Sequence, residues 1–458
     1  MTQKRIEKDS MGQLEVPDEA LYGAQTQRAI NNFPISGETM PLAFIQALIM
    51  VKQAAAKANG ELQCLSLEQG QAIDKACQTL LGQENLLQHF PVDVFQTGSG
   101  TSTNMNANEV IARLAGQQSG LDIHPNDHVN YGQSSNDVIP TTIHVSAVIR
   151  LKEHLLPALQ YLSTALQSKA QSLSHLCKTG RTHLMDAMPV RFDQVLKGWE
   201  AQITQQTRLI ESVLPALQQL AQGGTAVGTG VNAHEDFSGV FTQQLRLLSG
   251  CDFTPAGNFF AAIGSQDTAV SLSGQLKSLA TTLMKIANDL RWMNSGPLAG
   301  LGEITLPALQ PGSSIMPGKV NPVIPEAVTM ACAQTIGNDS AITIGAQAGN
   351  FELNVMLPMI AKNLLNSIRL MGQSAVLLAD KAIEGFTVNE ETLNHALDRN
   401  PILVTALNPI IGYSKAAEIA KAAYQQQRPV IDVAAEMTDL SKEKLNDLLN
   451  PLKLTGAR

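Results

Sequence analysis

Pro311–Pro322 reads PGSSIMPGKVNP and carries the densest chemistry in the chain: two serines, one cation (Lys319), and glycine and proline throughout. Glycine and proline at that density exclude a helix or strand interior, so the run is a loop. A helical period resumes at about Val323 and continues through Glu326, Met330 and Ala333, with Asn321 suited to the N-cap and Pro322 to the first helical position. The loop therefore brings the hydroxyls of Ser313 and Ser314, backbone N–H groups and an ammonium to the positive end of a helix. That combination suits an anion, or negative charge that develops during a reaction. Read alone, the run is either such a site or a surface loop without a task. It is not a nucleotide phosphate loop. Five residues separate Gly312 from Gly318, Lys319 is followed by Val320, and no strand pattern leads in.

Five other polar turns have a related character. Gln96–Ile111, QTGSGTSTNMNANEVI, is a Gly/Ser/Thr loop running into a helix start; taken alone it reads first as an ordinary capped helix, and beside the other runs as a loop where small side chains admit a ligand and hydroxyls donate to oxygen. Gln133–Asp137, QSSND, opens another helix with donors from Ser134, Ser135 and Asn136, and N-capping accounts for it equally well. His124–Asp127, HPND, lies in a short loop. His124 and His128 stand four apart, but Pro125 and the missing glutamate argue against a helical zinc motif. Gly180–Pro189, GRTHLMDAMP, places His183 beside Arg181 and Thr182 between two helical runs. Gly223–Asn232, GGTAVGTGVN, lacks the spacing and the preceding strand of a dinucleotide fingerprint.

Together these runs resemble the fumarase/aspartase superfamily, lyases that release fumarate from a C4 dicarboxylate. The resemblance covers nearly the whole chain, starting with DSMGQLEVPDEALYGAQTQRA. Gly318 before the lysine, and His183 where aspartases carry glutamine, point toward the class II fumarases. The sequence departs from that pattern at Met185, Gln310, Leu121 and Asp122, and at Tyr131 and Gly132.

The resemblance implies reversible loss of water from (S)-malate to give fumarate, with aspartase chemistry or a catalytically silent helical scaffold as the alternatives. It implies that Ser313 takes the carbon-bound proton, that His183 handles the water, and that Glu326 backs the imidazole. Lys319 is expected to join them in catalysis and, with Ser314, Val320 and Asn321, to hold the carboxylate that receives the charge. Ser99, Gly100, Thr101, Ser134, Ser135, Asn136 and Thr182 complete the expected substrate contacts. His124, Pro125, Asn126 and Asp127 form an expected second anion site. No cofactor and no metal are expected, because the substrate's own carboxylate serves as the electron sink.

The elements that must position these turns are helical. At 458 residues and 44% hydrophobic, the chain can bury a large core. Its low aromatic content and its Ala, Leu, Gln and Ser favour helix over sheet. Helical stretches are expected at about 41–59 and 66–81. From about Thr141 long helices follow, with Pro157 bending or interrupting the first of them. Leu272, Leu276, Leu279, Leu283, Ile286, Leu290 and Met293 alternate spacings of four and three, a seam that requires a neighbouring helix. The expected architecture is mainly α, with an N-terminal mixed domain (1–136), a central long-helix bundle (137–388) and a small C-terminal helical domain (389–458). In the superfamily the bundle is shared between the subunits of a homotetramer.

A net charge of −8 with no Lys/Arg block speaks against nucleic acid as a partner. No run is long and apolar enough to cross a bilayer. The N-terminus has no signal or transit character. Five scattered cysteines without a CxxC fit a reduced, cytoplasmic protein.

Overall fold

The structure is a computed structural model and describes residues 3–456. It is mainly helical. The chain divides into two compact units: Met1–Pro157, Thr207–Ala280 and Cys332–Gly372 form one, and Ala158–Gln206, Thr281–Ala331 and Gln373–Arg458 form the other.

The first unit opens on a hairpin, β1 (Lys4–Asp9) and β2 (Gly12–Pro17), followed by α1 (Ala24–Asn32). Its hub is α2 (Leu42–Glu61), an Ala-, Leu- and Ile-rich helix with buried residues on nearly every face. It packs against α3 (Leu67–Leu81), α5 (Ser135–Arg150) and α8 (Phe237–Ser249). A helix buried on nearly every face has to be enclosed by others, which accounts for its central place. Between α3 and α5 runs α4 (Thr101–Ser119). The expected starts near 41 and 66 agree with the structure. At the second, Ser66 and Gln69 form a reciprocal capping box.

Pro157 does not break its helix. A single wide turn, Leu151–Leu155, joins α5 to α6 (Leu156–Ser172), and the widened turn absorbs the register change around the proline.

The second unit contains a hairpin that periodicity did not reveal, β3 (Cys177–Thr182) and β4 (Met185–Arg191). It also contains a C-terminal region with its own apolar core, built around Leu407, Ile419, Val433, Ala434 and Leu445. The expected boundary at 388–389 falls between the short strand Thr387–Val388 and the helix Glu390–Arg399.

The long helices are α7 (Phe192–Glu211), α9 (Asp267–Met293), α10 (Val323–Gln347) and α11 (Leu357–Leu378). Each supplies residues to both units. Every residue of the expected seam on α9 is buried, Met293 being the most exposed at 6%.

Candidate active site

In the first unit two of the polar turns meet. Gly100 ends the 96–100 loop with φ +74°, a left-handed conformation, and a Cβ there would lie 2.9 Å from Ile139. Only glycine fits both conditions. The turn aims the start of α4 at the start of α5. Ser99 Oγ and Thr101 Oγ1 share a hydrogen bond of 2.7 Å, and Thr101 Oγ1 and Ser135 Oγ share another of 2.7 Å. Three hydroxyls from two distant segments thus form a chain where two helix N-termini converge. Hydroxyls can turn their protons toward an incoming carboxylate, and helix N-termini favour its charge.

Behind the hydroxyls, Ser134 and Asp137 make a capping box: Ser134 N–H donates to Asp137 Oδ1 at 2.9 Å, and Asn136 N–H donates to Ser134 Oγ at 3.2 Å. The Asn136 amide donates to the Ala226 carbonyl at 2.8 Å, which ties the strip to the 223–232 turn. Capping thus occupies Ser134, while the Ser135 hydroxyl stays in the chain with Thr101.

His124–Asp127 is a helical turn rather than a plain loop: Pro125–Val129 make one wide turn that His124 caps, its Nδ1 accepting from Asp127 N–H at 3.2 Å. The cleft beside it is also lined by Arg5, Lys8 and Arg113. These cations come from parts of the chain other than residues 121–122. Both arginines pair with Glu7, and Asp9, Glu109 and Asp122 line the same cleft, so its four carboxylates outnumber its three Lys and Arg cations. Among the described residues, no group of three or more His, Cys, Asp or Glu side chains is placed to hold a metal ion.

In the second unit His183 and Leu184 form the two-residue turn between β3 and β4, with φ of +55° and +60°. Two consecutive positive φ values are the hairpin geometry that normally takes Asn-Gly. A histidine and a leucine hold it at a cost in strain, the kind that collects at functional sites. The hairpin is anchored close behind the turn. Glu303 is 2% exposed, and its carboxylate binds Lys178 at 2.9 Å and Arg181 at 2.7 Å. His183 itself is exposed.

The 311–322 loop is stapled to itself. The Asn321 amide donates to the Gly312 carbonyl at 2.7 Å, and a Cβ on Gly312 would lie 2.0 Å from the Lys319 carbonyl oxygen. Asn321 therefore closes the loop and does not cap the helix, which starts at Val323. Inside the loop Ser313 Oγ accepts two backbone N–H groups, from Ile315 at 3.3 Å and from Met316 at 3.1 Å. Donors aimed at a hydroxyl oxygen favour its anionic form.

Lys319, Val320, Asn321 and Glu326 line a cleft of about 670 Å³ together with Asn288, Arg291 and Trp292 of α9. Arg291 and Trp292 were not singled out in the sequence, where they end a heptad seam and look like ordinary helix residues. His183, Ser313 and Ser314 are not among the residues that line this cleft.

The sequence of this fold matches known families along most of its length. The lyase family covers residues 12–337, and the fumarase C C-terminus covers 403–456. Class II fumarate hydratase 2 of Pseudomonas aeruginosa is 66% identical over 456 residues, spanning 100% of this chain and 99% of its own. The class II fumarate hydratase of Photorhabdus laumondii is 46% identical and spans all of both chains. Among solved structures, class II fumarase from Schistosoma mansoni superposes with a TM-score of 0.95 at 38% identity, covering 99% of each chain. The chain belongs to the class II fumarate hydratase group of the lyase family.

Proposed function

We propose that this chain catalyses the reversible hydration of fumarate to (S)-malate, and that the residues named above divide the work. In the dehydration direction Ser313, as the alkoxide, takes a proton from C3 of malate. The C–H electrons move into the neighbouring carboxylate, giving an enolate-like (aci-carboxylate) intermediate. Lys319, the Asn321 amide and the backbone N–H groups around Ser314 hold that charge, beside Val320. The C2–O bond then breaks. The departing hydroxide takes a proton from His183 through a bound water, with Glu326 steadying the imidazolium. The Ser99–Gly100–Thr101 and Ser134–Asn136 strips, with Thr182, grip the substrate's carboxylates, and His124–Asp127 form an accessory anion site. The single observation that carries this reading is the chain of hydroxyls Ser99–Thr101–Ser135 at two converging helix starts.

The direct test is purified protein with L-malate and a chelator present, following fumarate by its ultraviolet absorbance. Fumarate is expected to accumulate from L-malate and not from L-aspartate. The reverse pattern would transfer the assignment to ammonia chemistry.

The active site is proposed to be completed by several subunits of a cytoplasmic homotetramer, through a central bundle (137–388) flanked by the 1–136 and 389–458 domains. The support lies on α10. Over 25 residues its only charged side chains are Glu326 and Asp339, and Asp339 is buried. Its exposed face, including Met330, Gln334, Gly337, Ser340 and Ile344, is uncharged over about four turns. Such a face suits another helix better than water. Light scattering at micromolar protein is expected to give four times the chain mass. A monomer would remove the proposed assembly.

A further inference from the structure

Lys52 stands in the middle of α2 with no exposed surface. A buried ammonium is expensive and calls for partners that repay its desolvation. Here they are amide oxygens of the segment that leads into the Ser134–Asn136 strip. Lys52 Nζ donates to Asn130 Oδ1 at 2.7 Å and to Gln133 Oε1 at 3.1 Å. The same Asn130 oxygen accepts from Asn104 Nδ2 and Asn108 Nδ2, both at 3.2 Å. Those two asparagines lie on α4, within two turns of Thr101. The knot around Lys52 therefore holds α4, which carries one strip, to the segment that carries the other.

The far end of that segment is held by a buried carboxylate. Asp137 has no exposed surface and accepts from Ser134 N–H at 2.9 Å, Gly223 N–H at 3.1 Å and Thr225 N–H at 2.9 Å. Burial pulls the Lys52 ammonium down to about 7, and the charge of Asp137 opposes that fall. Burial pushes Asp137 up to about 6 against its three backbone donors and Lys52. A cation and an anion thus grip the two ends of residues 130–137.

We propose that Lys52 is a positioning residue that sets the spacing between the Ser99–Thr101 and Ser134–Asn136 strips, and through it the affinity for a dicarboxylate. Lysine suits the task because its nitrogen can donate to the amide oxygens of Asn130 and Gln133 from one point. The proposal rests on reading the strips as substrate-binding.

The test compares the parent with Lys52→Met, which keeps the stem and removes the charge. A second variant, Gln133→Leu, deletes one of the ammonium's partners on a half-buried loop without altering the core of α2. KM and kcat for L-malate and for fumarate are measured alongside the thermal midpoint. Loss of contacts made equally in the ground and transition states raises KM and spares kcat. The expected result is KM raised about tenfold or more in Lys52→Met and several-fold in Gln133→Leu, with kcat within about threefold of the parent.

A lowered midpoint with the parent's KM would make Lys52 a core residue only and overturn the proposal. If Lys52→Met does not fold, an unchanged KM in Gln133→Leu decides against it as well. Parent turnover of malate is read first, so failure of the substrate assignment is seen separately from failure of the role given to Lys52.

Discussion

Lys319→Ala is expected to lower kcat for malate dehydration by about a hundredfold or more, the cost of removing a donor that meets charge only in the transition state. Lys319 is exposed on a loop, and among the described residues no carboxylate pairs with it. The loop's shape is kept by backbone groups and by the Asn321 amide on the Gly312 carbonyl at 2.7 Å, not by the lysine side chain. Removing the ammonium therefore leaves the loop standing and deletes one function. The fall should appear in kcat and in kcat/KM, because the extra carboxylate charge exists only once the C3 proton has left. Lys319→Arg is expected to restore little, since a planar fork does not substitute for a point charge in a fitted site. Steady-state kinetics with a thermal midpoint check this. A midpoint equal to the parent's together with kcat within about twofold would remove Lys319 from the mechanism.

His183→Asn should cost about a hundredfold to ten-thousandfold in kcat, the range for loss of a general acid–base group. Asparagine is chosen because of the turn. His183 has φ +55°, and asparagine accepts that left-handed conformation more readily than most residues. The hairpin, braced by Glu303 on Lys178 at 2.9 Å and Arg181 at 2.7 Å, should keep its shape and even lose strain. The variant is expected to be as stable as the parent or slightly more so, and nearly inactive. That pairing separates a chemical role from a structural one. A variant that retains activity within about tenfold of the parent would place the proton transfer elsewhere.

These two experiments draw on different kinds of legibility. The 311–322 loop was readable because its chemistry is local: glycine, proline, serine and lysine in one short run fix both the absence of regular structure and the donors it can present. The strain at His183 was not readable. Nothing in GRTHLMDAMP carries the Asn-Gly signal of a tight hairpin, and β3 and β4 do not alternate cleanly between apolar and polar residues. The hairpin is held by strand pairing and by the buried Glu303, which lies 122 residues beyond Arg181 and was not singled out in the sequence.

By itself the sequence determined the helical character of the chain, the periods that bury its seams, the capping boxes at Ser66 and Ser134, and the polar turns that could do chemistry. Each of these depends on residues within a turn or two of one another, where propensity and hydrogen bonding act directly. The tertiary structure decided which turns meet. It joined Ser99 and Thr101 to Ser135, placed Lys52 beneath Asn130 and Gln133, set Glu303 against Lys178 and Arg181, and gave Asn321 to Gly312 instead of to the helix start. Most of those pairings join residues from about 30 to 120 positions apart. They follow from how the helices pack, because a buried charge or amide is stable only when packing brings its partner to hydrogen-bond distance.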